Sequence, residues 1–224
     1  MASTARYGWY WLLDYVYVAY WQLRHIVGRG VPAHYAEGEG MPVLLLPGVY
    51  ETWQFLRPIA DSLNAQGHPV HVVRELGYNR RAIPDASAVA QRYLESHDLH
   101  GVVLVAHSKG GLIGKHMMLL DDADGRIDRL VAIATPFGGS SYARFFVNPA
   151  VRAFSPKAPV LSMLAANAEV NARITSLYGE FDPHIPLGSR LEGAVNVQFP
   201  IAGHFRILAD SAVQRAVETA VGVD

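Results

Sequence analysis

Three side chains in this sequence have the types and the order that nucleophilic catalysis requires. Ser108 stands in VVLVAHSKGGLIG (residues 102–114), where one apolar run gives way to glycines and a second apolar run. Asp182 closes RITSLYGEFD, and His204 follows AVNVQFPIAG. A serine hydroxyl is a weak nucleophile until a neighbouring base takes its proton. A histidine can do so, and a carboxylate on its other ring nitrogen holds the tautomer and stabilises the imidazolium. Glu180 is the competing acid, two residues before Asp182. Each residue also has a structural role open to it. Serine favours the N-cap of a helix, and His204 stands where it would meet the start of the last helix.

The elements that would carry these residues can be read from the hydrophobic pattern. PVLLLPG, HPVHVVREL, GVVLVA, DRLVAIAT, RITSLYGEFD and AVNVQFP are six short apolar runs ended by turn residues or polar groups. Between them, Trp53, Leu56, Ile59, Ala60 and Leu63 recur at helical spacing, as do Ala86, Val89, Ala90, Tyr93 and Leu94 after Pro84. GLIGKHMMLL reads as a third helix, and a last helix is expected from about Phe205 to Val221, with Ala209, Val213, Ala216, Val217 and Ala220 facing inward. Continuous apolar strands alternating with helices predict an α/β fold. Its central sheet is mostly parallel and covered by helices on both faces. In such sheets ligands bind beyond the carboxyl ends of the strands. Ser108, Asp182 and His204 all fall there. Gly110 and Gly111 after the serine would let a helix backbone approach the strand closely.

Composition narrows the function further. The 224 residues suffice for one good-sized core. The formal net charge is −1, which provides no basic field for nucleic acid. Cysteine is absent, so disulfides, thiolate zinc sites and a cysteine nucleophile are excluded. His34, His68, His71, His97, His100 and His116 show no metal-ligand spacing, and no metal or cofactor is expected. His107 reads as a packing or hydrogen-bonding residue and His184 as a loop residue.

At this point the residues carry a resemblance. AHSKGG resembles the nucleophile elbow of the α/β-hydrolase fold as found in bacterial lipases and esterases, with Ala106 at the first small position. LLLPGVYET is similar to that family's oxyanion-hole segment, with Pro47 where many members have His. ATPFGGS resembles the run after the following strand, and GEFDPHIP and GHFRIL resemble the acid and histidine loops. The resemblance covers about residues 41–221 and implies a trimmed form of the fold. It implies Ser108 as nucleophile, His204 as general base and then acid, and Asp182 rather than Glu180 as its orienting carboxylate. It also implies an oxyanion hole made by the main-chain N–H groups of Val49 and Lys109, with Tyr50 as the alternative to Val49. The Lys109 ammonium is expected at the mouth of the site. The implied activity is hydrolysis of carboxylic esters; the local hydrophobicity of the aromatic N-terminal segment, which lies outside the resemblance, favours hydrophobic acyl esters. The alternatives are a thioesterase or acyltransferase with the same residues, or a non-catalytic binding module.

Residues 1–40 lie outside the resemblance and are read as a hydrophobic helix and linker before a hydrolase domain at 41–224. YGWYWLLDYVYVAYWQL (residues 7–23) has Asp14 as its only charge. Asp14, Tyr7, Tyr10, Tyr17, Trp21 and His25 share one stripe at helical spacing. Three readings fit: a marginal membrane span, a helix lying in a membrane interface, or a helix packed on the domain or on a second copy of the chain. If the run spans, Arg24, His25 and Arg29 after it, against Arg6 before it, would leave the domain in the cytoplasm; otherwise it is expected in the cytoplasm or at the cytoplasmic membrane face. On the packed-dimer reading, deleting residues 1–29 would change the assembly without touching the site. Residues 137–168 occupy the place of a small cap, with YARFFV and Phe154 among its apolar residues.

Overall fold

A computed structural model of the chain describes residues 2–28, 30–140 and 154–222, with side chains from Gly8 onward. The six apolar runs form strands β1 (Val43–Leu46), β2 (Val70–Val72), β3 (Val102–His107), β4 (Ile127–Ile133), β5 (Ile174–Phe181) and β6 (Val195–Ala202). They make one sheet in the order β2-β1-β3-β4-β5-β6, every pair parallel. The helices are α1 (Ala2–Val27), α2 (Arg57–Ala65), α3 (Ile83–Ser96), α4 (Lys109–His116), α5 (Pro159–Ala166) and α6 (Ser211–Val221).

Side-chain alternation along each strand sorts the core into two layers. Leu44, Leu46, Leu104, Ala106, Leu130 and Ala132 face α3, α4 and α5. Val43, Leu45, Val103, Val105, Val131 and Ile133 face α2, α6 and the inner side of α1. β1 and β3 are buried along their whole length, which is why they read as unbroken apolar runs, whereas the edge strand β6 is partly exposed. The chain passes from β1 outward to β2 and then back across to β3. The carboxyl ends of β1 and β3 therefore flank the point where strand order reverses, the usual crevice for a ligand.

Several boundaries differ from the sequence reading. β2 spans three residues and gives way to a 3₁₀ turn at Arg74–Leu76. The last helix does not begin at Phe205. A 3₁₀ turn covers Arg206–Ala209, and Asp210 then caps α6 by accepting from the amides of Ala212 (2.8 Å) and Val213 (3.3 Å). The linker contains a further 3₁₀ turn at Ala33–Ala36, whose Tyr35 is buried and hydrogen-bonded to Asp61. In the cap region, α5 and Phe154 pack on the α3/α4 layer, whereas YARFFV lies outside the described residues.

α1 includes the whole aromatic run and packs on the domain. The Tyr17 hydroxyl donates to the Phe55 carbonyl (2.8 Å), the Gln22 amide to the Tyr50 carbonyl (2.9 Å), and the His25 ring bonds Gln54 (3.1 Å). Asp14 and Trp21 are buried. The polar stripe of the sequence thus faces inward; the Tyr7 side chain lies outside the described residues. The outer side exposes Trp9, Leu12, Val16, Tyr20 and Leu23. Among the described residues no helix is long and apolar enough to cross a membrane.

Candidate active site

The turn after β3 is tight and strained. Ser108 has φ 51° and ψ −118°, in the region L-residues seldom adopt, and α4 starts at the next residue. Such strain persists only where the surroundings over-determine it, and it gathers at functional sites. Two glycines make the turn feasible. A Cβ on Gly110 would lie 1.9 Å from the Leu46 carbonyl oxygen, and one on Gly111 2.0 Å from Thr135 Oγ1. The helix start is thereby seated directly against β1 and the end of β4.

Loops from the far side of the sheet complete the site. The Ser108 hydroxyl donates to His204 Nε2 (2.9 Å), and His204 Nδ1 donates to Asp182 Oδ2 (2.6 Å). All three sequence-predicted side chains meet in one hydrogen-bonded chain, with Ser108 and His204 buried. Asp182 also accepts from the amides of His184 (2.8 Å) and Ile185 (3.1 Å). The alternative acid, Glu180, is exposed. Burial works against ionising either partner. For His204 the charge and hydrogen bond of Asp182, with Glu51 and Asp14 beyond, outweigh it and hold the pKa above the ordinary 6.5. For Asp182 the His204 charge and hydrogen bond and the His184 amide outweigh it and hold the pKa below the ordinary carboxylate value. This geometry can move a proton from a hydroxyl to an imidazole and back.

The two positions read as oxyanion donors are equally specific. Val49 and Ser108 line the same cavity. The Tyr50 amide, the alternative, donates to the Tyr78 carbonyl (2.8 Å). The Val49 amide has no hydrogen-bond partner among the described residues. Lys109 opens α4, so its amide has no carbonyl one turn behind it within the helix. Its ammonium is not at the mouth of the site, as the sequence had suggested. It is buried, donating to the carbonyls of Asn79 (2.9 Å) and Arg81, and burial lowers its pKa to about 8.

Sequence reasoning missed three participants. His184 is a pocket wall rather than a plain loop residue. Its ring lies 4.9 Å from that of Trp11 and 5.1 Å from that of His204, and burial together with the His204 charge lowers its pKa to about 4. Glu51 is buried behind the serine and binds the Gly48 amide (2.8 Å) and His107 Nδ1 (2.8 Å). Asp14 is fully buried, and its carboxylate accepts from the amides of His204 (2.6 Å), Phe205 (3.1 Å) and Arg206 (3.0 Å). The expectation that residues 1–29 could be deleted without touching the site is therefore corrected: α1 binds the histidine loop itself. The signal for it was present. A lone carboxylate in an apolar helix must find donors if it is buried.

The cavity over Ser108 measures about 830 Å³, within the range of small-molecule sites. Trp11 and Tyr15 of α1 form one wall; Phe55, Phe154, Tyr178 and Phe205 form others. No Lys or Arg of the described residues lines it. Among the described residues no group of His, Asp and Glu has the arrangement of a metal site.

No protein-family model matches the sequence, and no curated protein matches it. Solved structures do match in fold. The mature lipase BlEst2 of Bacillus licheniformis superposes with a TM-score of 0.64 at 15% identity, over 84% of this chain and 93% of that one. The monoacylglycerol lipase of Paleococcus ferrophilus gives 0.58 at 16%, over 81% and 95%. The type II thioesterase BorB of the borrelidin biosynthetic cluster gives 0.59 at 18%, over 83% and 93%. The chain has the α/β-hydrolase fold, in a trimmed form with a six-stranded, wholly parallel sheet.

Proposed function

We propose that the protein is a serine hydrolase of neutral, hydrophobic carboxylic esters. The observation that carries this reading is the bonded chain from Ser108 through His204 to Asp182 at the floor of an apolar cavity. In the first half-reaction Ser108 Oγ attacks the ester carbonyl carbon while its proton passes to His204 Nε2. The amides of Val49 and Lys109 receive the developing oxyanion, a contribution of about 100- to 1000-fold per donor. The tetrahedral adduct collapses, and His204 returns the proton to the leaving alkoxide. Water, giving a proton to His204, then attacks the acyl carbon; the second adduct collapses, the carboxylic acid leaves, and His204 returns the proton to Ser108 Oγ. Asp182 stabilises the imidazolium throughout.

The lining supports the substrate class. Aromatic and aliphatic walls suit an acyl chain or an aromatic ester, and the carboxylates of Glu51, Glu180 and Asp182 around the cavity disfavour an anionic substrate. A thioesterase acting through the same residues stays as the alternative. The outward face of α1 supports delivery from a lipid–water interface. Most of the exposed large apolar side chains among the described residues lie on α1, rich in the Trp and Tyr that favour interfaces. Trp11 and Tyr15 belong both to that face and to the cavity wall.

The test is hydrolysis of p-nitrophenyl esters from short to long acyl chains by the protein and by Ser108→Ala, together with labelling by a fluorophosphonate probe. Activity and labelling that vanish in Ser108→Ala support the reading. A folded protein that neither hydrolyses nor labels refutes it and leaves the non-catalytic binding module. Sedimentation with vesicles of neutral and anionic lipid tests the interface; protein that stays in the supernatant refutes that part alone.

A further inference from the structure

His204 must present Nε2 to Ser108 and Nδ1 to Asp182 at the same time, so its main chain has to be fixed as firmly as its ring. Two buried carboxylates from distant parts of the chain do this. On one side stands Asp14 of α1, 190 residues away in sequence. Its Oδ2 takes the His204 amide, and its Oδ1 takes those of Phe205 and Arg206. These amides open the 3₁₀ turn at Arg206–Ala209 and have no partner within it. On the other side the His204 carbonyl meets His107 Nε2 at 2.9 Å, while His107 Nδ1 faces Glu51. The two ring nitrogens of His107 thus tie the His204 carbonyl to the Glu51 carboxylate. Glu51 also takes the Gly48 amide, which links this support to the segment carrying Val49. The Asp14 seat is close-fitting. A Cβ on Gly203 would lie 2.7 Å from Asp14 Oδ1.

We propose that Asp14 is a positioning residue for His204, and that the N-terminal helix is consequently a working part of the active site rather than an appended anchor. This rests on the hydrolase reading above. Asp14 touches no reacting atom; it acts by holding three consecutive amides of the histidine loop. An uncharged amide cannot replace it. Asn offers one acceptor oxygen, and its NH₂ would point at an N–H on one side or the other. The loop would then shift, and a displacement of about 1 Å at a reacting group can cost about 100-fold.

The experiment compares the full-length protein with Asp14→Asn and with Tyr17→Phe. The latter cuts another tether of α1, to Phe55, and leaves the histidine loop alone. Asp14→Asn should lower kcat by about 10- to 100-fold with KM little changed. It should also move the acid limb of the rate profile to lower pH, because one of the negative charges facing His204 is gone. The others facing it, Asp182 and Glu51, remain, as do the neighbouring rings of His107 and His184. Tyr17→Phe should change neither. A purely structural role for Asp14 would lower the stability of Asp14→Asn but leave kcat of the folded variant at the wild-type value. The titration of His204 followed by NMR with labelled histidine needs no substrate, so it reports on the proposal even if wild-type protein proves inactive on esters. Wild-type kcat, acid limb and His204 titration in Asp14→Asn would overturn the proposal. If Asp14→Asn does not fold, amide exchange in the wild-type protein decides. Strong protection of the His204, Phe205 and Arg206 amides supports the clamp, and exchange at the rate of open loops overturns it.

Discussion

Replacing Gly110 by alanine tests whether the seat of α4 on β1 is what places the serine. The added Cβ would lie 1.9 Å from the Leu46 carbonyl oxygen, about 1.5 Å short of the 3.4 Å at which ordinary contact begins. The obstacle is main chain, and β1 is held by β2 on one side and β3 on the other, so it cannot retreat. The first turn of α4 must therefore move outward by about 1.5 Å, taking Ser108 and the Lys109 amide with it. Overpacking of this kind costs about 1–3 kcal/mol. For a domain of this size that is a fall of about 2–12 °C in Tm. The shift at the reacting atoms should lower kcat by about 100-fold or more. Thermal unfolding and p-nitrophenyl ester kinetics measure the two effects separately. Gly114→Ala is the control: its new Cβ would meet the Leu130 and Leu104 methyl groups, which can rotate aside. A Gly110→Ala protein that melts and turns over like wild type would refute the argument, and equal damage at Gly114 would show that position on α4 does not matter.

Two further outcomes follow from the electrostatics and the pocket wall. His204 must be neutral to accept the serine proton, and its pKa is raised, so kcat/KM should fall on the acid side with a midpoint above 6.5. The same shift has a stability counterpart: the added stability is full below about 6.5 and is lost as pH rises through the folded value. Asp182→Asn should lower that midpoint and reduce kcat by about 10⁴-fold; an unmoved midpoint would assign the limb to another group. Trp11→Ala removes part of the cavity wall and the ring against His184, and should raise KM for long acyl esters with kcat largely kept. A KM independent of chain length in both proteins would place the acyl chain elsewhere.

The strands were legible because a sheet covered on both faces demands apolar side chains at every position, and Val102–Ala106 has nothing else. Ser108, Asp182 and His204 were legible because side-chain chemistry needs particular residue types at strand ends. What was not legible depends on main-chain partners. The amides that receive Asp14 belong to His, Phe and Arg, and any residue but proline would have supplied them. Lys109 looked like a surface residue because nothing in its neighbourhood announces the Asn79 and Arg81 carbonyls that bind its ammonium. The start of α6 was misplaced because Ile207 and Leu208 continue the apolar spacing through Asp210, where the 3₁₀ turn ends and the cap begins.

The bond from Asp14 to the His204 amide also orders events during synthesis. α1 is made early, but its polar partners are added 190 residues later. At about 5–20 residues per second, that interval is on the order of 10–40 s. Throughout it, a helix rich in Trp and Tyr has neither its carboxylate satisfied nor its inner face covered by Phe205 and the turn that follows. The nascent chain thus carries an adhesive aromatic segment until residues 204–206 are in place. Its need for a covering surface, whether ribosome, chaperone or membrane, is greatest before the histidine loop exists.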